Sequence, residues 1–129
     1  MSQKTFDELG KIVEDQAVTT TASTTGVNIV GLNIGAAAYH AVIDADTLAG
    51  TFDGSNYYTV ALQASDLVGG TYVTVGNVAT ISAAGKSEIG FTAEQLNSLV
   101  DGAEFFRVTV TKVGTTATGV TVTAFLTRV

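Results

Sequence analysis

A chain of 129 residues with net charge −6 is the length of one domain, and its 46% apolar share belongs to a folded protein rather than a disordered one. Charged residues make up only 14%, and the six basic ones (Lys4, Lys11, Lys86, Arg107, Lys112, Arg128) are scattered, which excludes a basic face for nucleic acid or anionic membrane. With no cysteine, disulfide frameworks, thiolate nucleophiles and cysteine-ligated metals are excluded as well.

The first sixteen residues, MSQKTFDELGKIVEDQ, are polar and acidic, without the apolar stretch and small-residue cleavage site of a secretory signal. Thr5-Phe6-Asp7-Glu8 has capping-box spacing, and Phe6, Leu9, Ile12 and Val13 follow at intervals near three and four. The spacing predicts a short amphipathic helix near 5–14, which Gly10 weakens by about 1 kcal/mol. So short a helix is marginal in water and needs a surface to dock on, its own sandwich or a neighbouring subunit. The small polar stretch Thr19–Thr25 reads as a mobile tether, which favours the neighbour. Phe6, Leu9, Ile12 and Val13 are therefore expected to form a partner-binding arm within residues 1–20, ahead of a single β-sandwich domain at 21–129. Removing residues 1–16 is expected to leave that domain folded.

From there the chain alternates with period two, as strands with one buried face do. Gln16 to Ile43 lacks charged residues, but threonines, asparagines and glycines interrupt it well short of ~18 consecutive apolar residues, so no membrane span is expected. A first strand is expected within Val27–Ile34, and Ala37–Ala45 places Ala37, Tyr39, Ala41 and Ile43 on one face. Tyr57–Ala64 does the same with Tyr58, Val60, Leu62 and Ala64, leaving Tyr57 outward. Gly70–Gly76, Val78–Ser82 and Ser87–Phe91 are shorter candidates, with Gly76-Asn77 as a turn. Thr92-Ala93-Glu94-Gln95 is a second capping box, so a short helical turn is expected near 92–101 with Leu96, Leu99 and Val100 on one face. Phe105–Val113 and Thr118–Val129 close the chain, with Phe106, Val108, Val110, Val120, Val122, Ala124 and Leu126 inward. About eight short strands separated by Gly/Asn turns, with no long helix between them, predict an all-β antiparallel two-sheet sandwich, most simply a jelly roll.

Few residues suggest chemistry. His40 is the single histidine and falls on the face opposite Tyr39 and Ala41, where a surface role is the plain reading. One histidine without cysteine makes no four-ligand zinc site unless carboxylates complete it. Asp44-x-Asp46 with Asp53-Gly54 faintly resembles a calcium loop, but the sixth and twelfth places are Ala49 and Ser55 instead of Gly and Glu. Gly69-Gly70 lacks the helix and lysine of a phosphate loop. No enzyme, metal or cofactor is expected.

Three stretches resemble the small jelly-roll cement (decoration) proteins on the heads of tailed bacteriophages. They are Phe6-Asp7 running into Asp15-Gln16-Ala17-Val18-Thr19; Thr21-Ala22-Ser23-Thr24-Thr25-Gly26-Val27-Asn28-Ile29; and a C-terminal hairpin expected from Phe106–Val110 and Thr118–Ala124. The resemblance implies a structural virion protein with no cofactor, made in the host cytoplasm and placed on the outer capsid surface. It also implies the major capsid protein as partner and a homotrimeric state. A carbohydrate- or receptor-binding sandwich module, or another minor virion component such as a tail protein, would share the composition. The lack of Trp counts against a sugar platform.

Overall fold

The computed structural model describes residues 10–28 and 38–128. Among them the chain forms nine strands and one short helix: β1 (Lys11–Val18), β2 (Ala22–Ser23), β3 (Val27–Asn28), β4 (Ala38–Gly50), β5 (Tyr57–Ser65), β6 (Val73–Ile81), β7 (Gly85–Thr92), α1 (Ala93–Leu99), β8 (Phe105–Val113) and β9 (Ala117–Arg128). They build two antiparallel sheets, ordered β1-β9-β4-β7 and β2-β8-β5-β6, with β3 pairing further along β8. If β2 and β3 count as two pieces of one strand, the pairs β1·β9, β2/β3·β8, β4·β7 and β5·β6 are the rungs of one long hairpin. Rolling that hairpin adds β4·β9 and β5·β8 and yields the jelly-roll order. The expected all-β sandwich is the observed fold.

The core follows from the alternation. Tyr39, Ala41, Ile43 and Ala45 of β4 and Val120, Val122, Ala124 and Leu126 of β9 face Tyr58, Val60, Leu62 and Ala64 of β5 and Phe106, Val108 and Val110 of β8, all buried. A run of stacked rings, Tyr39–Phe91 at 5.5 Å and Phe91–Phe106 at 6.5 Å, joins the two sheets. Tyr58 is fully buried, and its hydroxyl is satisfied by donating to the Thr19 carbonyl at 2.7 Å. The outer face of the first sheet carries Thr121, Thr123 and Thr127. It also carries one apolar pair, Val42 opposite Phe125, buried yet outside the inter-sheet core.

Five expectations need correction. Phe106–Val110 and Thr118–Ala124 are not a hairpin, because β8 pairs with β5 in one sheet and β9 crosses to pair with β1 and β4 in the other. Of the helix expected near 5–14, residues 11–14 are in a strand, because Lys11–Val18 is β1. Its register on β9 slips between Lys11 and Val13 and again between Val13 and Gln16, with Asp15 in the left-handed region at φ 50. These bulges break the two-residue period and set Ile12 and Val13 side by side in a pattern that imitates a helix. A backbone ladder to β9 is worth more than a short, glycine-weakened helix. The supposed tether is also tied down. Thr24 donates its amide to Val108 O at 2.9 Å and accepts from the Val108 amide at 3.1 Å, while Thr21 Oγ1 accepts from the Lys112 amide. The sandwich thus includes β1, ahead of residue 21.

The strands expected at Gly70–Gly76 and Val78–Ser82 are one strand, β6, and Gly76-Asn77 is a bulge rather than a turn. Gly76 sits at φ 75, where a Cβ would lie 2.8 Å from Ile89 Cγ2 and 2.9 Å from Gly90 O. Only glycine lets β6 bend this close to the first sheet. Finally, α1 is capped as expected, Thr92 Oγ1 accepting from the Gln95 amide at 3.0 Å. Leu96 is buried against the core and Val100 partly so, whereas Leu99 faces solvent. Of the strand expected within Val27–Ile34, the described part is β3.

Candidate interaction surface

The two ends of the sandwich differ in chemistry. One end is closed by tight polar turns. Asp53 and Asn56 exchange backbone hydrogen bonds, Asn56 Oδ1 accepts from the amides of Thr115 and Thr116, and Thr51 donates to Thr116 O. The Asp53 carboxylate accepts from the Asn56 side chain (2.9 Å) and the Ser55 amide (2.8 Å), and these bonds, the Asn56 side chain first, hold its pKa below the ordinary value. This carboxylate is thus occupied locally. Among the described residues no three His, Asp or Glu side chains converge to hold a metal ion.

The other end carries the long connections, residues 66–72 between β5 and β6 and residues 93–104 between β7 and β8. The pairing of Ser65 with Phe105 brings them together, and the Glu104 amide donates to Ser65 O at 3.0 Å. Among the described residues, three of the four exposed large apolar ones lie on these two segments: Leu67 (63% exposed), Val68 (53%) and Leu99 (45%). The fourth, Val78, is on the β6 bulge. The same two segments contain Asp66, Glu94, Asp101 and Glu104, all exposed, and no lysine or arginine.

The tip at Leu67-Val68 is held by its backbone. Ser65 is fully buried, and its Oγ accepts from the Leu67 amide at 3.2 Å. Gly70 donates to Leu67 O at 3.0 Å, and a Cβ at Gly70 would meet Ser65 Oγ at 2.8 Å. The Tyr72 hydroxyl donates to Val68 O at 2.8 Å, and its ring lies 4.1 Å from the Arg107 guanidinium. Arg107 Nε in turn donates to Gln63 Oε1, which also accepts from Thr109 Oγ1. Both carbonyls of the dipeptide are hydrogen-bonded within the turn, and the two side chains are exposed. An apolar tip built this way can enter a pocket with little ordering cost.

Of the four arm residues expected to bind a partner, Ile12 is buried in the core at 5% exposure and Val13 packs against it; both belong to β1. Phe6 and Leu9 lie outside the described residues. His40 is on the outer face of the first sheet, where its Nδ1 is 3.3 Å from the Glu88 carboxylate. Tyr57 and Tyr58 divide as expected, with Tyr58 in the core. The Leu67-Val68 tip was not legible as a site. Its only trace in the sequence is a pair of adjacent large aliphatic residues between Asp66 and Gly69-Gly70, where turn chemistry calls for polar residues. No protein-family model matches the chain, and no curated protein matches it.

Proposed function

We propose that this protein is a structural component of a tailed-phage virion, a cement protein that binds the outer surface of the head and stabilises the shell of major capsid protein as a homotrimer. The observation that carries this reading is the gathering of exposed apolar side chains at one end of a firmly packed jelly roll. Such a body presents a rigid, weakly charged block with one adhesive end, which is what a clamp across a preassembled lattice requires. The resemblance of the threonine-rich β segments to cement proteins points the same way.

The test is binding of purified chain to heads of the phage that encodes it, prepared without the chain. Saturable binding, threefold density on the outer surface of a reconstructed particle, and a rise in the temperature at which heads open are expected. A chain that is absent from virions and leaves head stability unchanged refutes the reading.

A further inference from the structure

We propose that the Leu67-Val68 tip is the insertion element of this interface, and that it enters an apolar pocket of the partner protein bordered by lysine or arginine side chains. The inference rests on the reading above for its partner and adds the place of contact and the chemistry of the surface that receives it.

Three observations carry it. The two side chains are the most exposed large apolar residues among those described, and they are adjacent. Their turn is fixed by three independent bonds, from the Leu67 amide to Ser65 Oγ, from the Gly70 amide to Leu67 O, and from the Tyr72 hydroxyl to Val68 O. The charge on the two connections is of one sign: Asp66 beside the tip, and Glu94, Asp101 and Glu104 on the connection bonded to Ser65. Against these four acids stands Arg107, whose guanidinium lies over the Tyr72 ring and donates to Gln63. An acidic rim around an apolar knob repels other acidic surfaces and is complementary to a basic rim around an apolar hole.

Leu67→Ser with Val68→Ser in the full chain, titrated against the same chain-free heads, tests the placement. The side chains are exposed, so the variant is expected to melt with the wild type while binding about a hundredfold more weakly, as burial of two aliphatic side chains implies. Val78→Ser, on the β6 bulge, is expected to bind normally. A second variant, Asp66→Asn with Glu104→Gln, tests the rim. Wild-type association is expected to slow several-fold between about 50 and about 300 mM NaCl, and this variant to lose much of that dependence. If wild type binds heads and Leu67→Ser/Val68→Ser binds within about twofold of it, the tip is not the insertion element and the cement reading stands. If binding drops but the rim variant keeps the full salt dependence, the basic-bordered pocket is refuted. If wild type does not bind heads at all, the cement reading fails and takes this inference with it.

Discussion

Replacing Ile12 by alanine separates the two readings of the N-terminal region. As an arm residue Ile12 would matter only to a partner; as a β1 residue, 5% exposed in the core cluster, it matters to folding. Ile→Ala in a core costs about 2–5 kcal/mol through lost burial and the cavity left behind. Ile12 sits on an edge strand at a bulge, where the backbone can relax, so the lower part of that range, about 2–3 kcal/mol, is expected. With a urea m-value near 1.5–2 kcal/mol/M the midpoint falls by roughly 1.5 M at unchanged slope. The melting temperature falls by about 10 °C. Val13→Ala, at a partly buried position, is expected to cost less than about 1 kcal/mol. Deleting residues 1–16 removes Ile12 and the strand that pairs with Ala124 and Phe125, and is expected to destabilise more than Ile12→Ala does. Urea titrations followed by far-UV circular dichroism measure all three. A midpoint for Ile12→Ala within about 0.3 M of wild type would refute the assignment of Ile12 to the core.

Gly76→Ala combines left-handed backbone with a Cβ 2.8 Å from Ile89 Cγ2 and is expected to destabilise by about 2 kcal/mol or more, read by thermal melting; a neutral result means that β6 does not pinch against the first sheet there. Tyr58→Phe removes the donor to Thr19 O and is expected to cost about 1 kcal/mol in the same assay. Burial raises the Tyr58 pKa, so its contribution is whole below its ordinary value of 10.0 and declines above it; the variant should lose less stability than wild type on going to stronger alkali. For Asp53 the sign is opposite. Its folded pKa is lowered by Asn56 and Ser55, so its contribution is present above the ordinary value of 3.8 and is lost as the pH falls through the folded value. Asp53→Asn should flatten the acid limb of the stability profile below about pH 4.

Much of the fold can be read from the chain because it rests on local rules. Side chains alternate across any strand, so Tyr39, Tyr58, Val60, Phe106 and Val122 could be assigned to one buried face without knowing the neighbours. The cap of α1 depends on Thr92 and Gln95 alone, three residues apart. The bulges of β1 and β6 were illegible for the opposite reason. Whether Ile12 and Val13 continue a helix or interrupt a ladder is decided by β9, more than a hundred residues on, and Gly76 is a bulge only because Ile89 and Gly90 pass beneath it. The exposure of Leu67, Val68 and Leu99 is of the same kind. In the sequence they are ordinary apolar residues. The buried Ser65, the clasp of Tyr72 and the place of α1 leave them no core to enter. Composition and alternation therefore determine that the chain makes a sandwich with neutral faces, since each depends on a residue and its nearest neighbours. Which end of that sandwich exposes large apolar side chains is set by contacts between distant segments, and only the tertiary structure decides it.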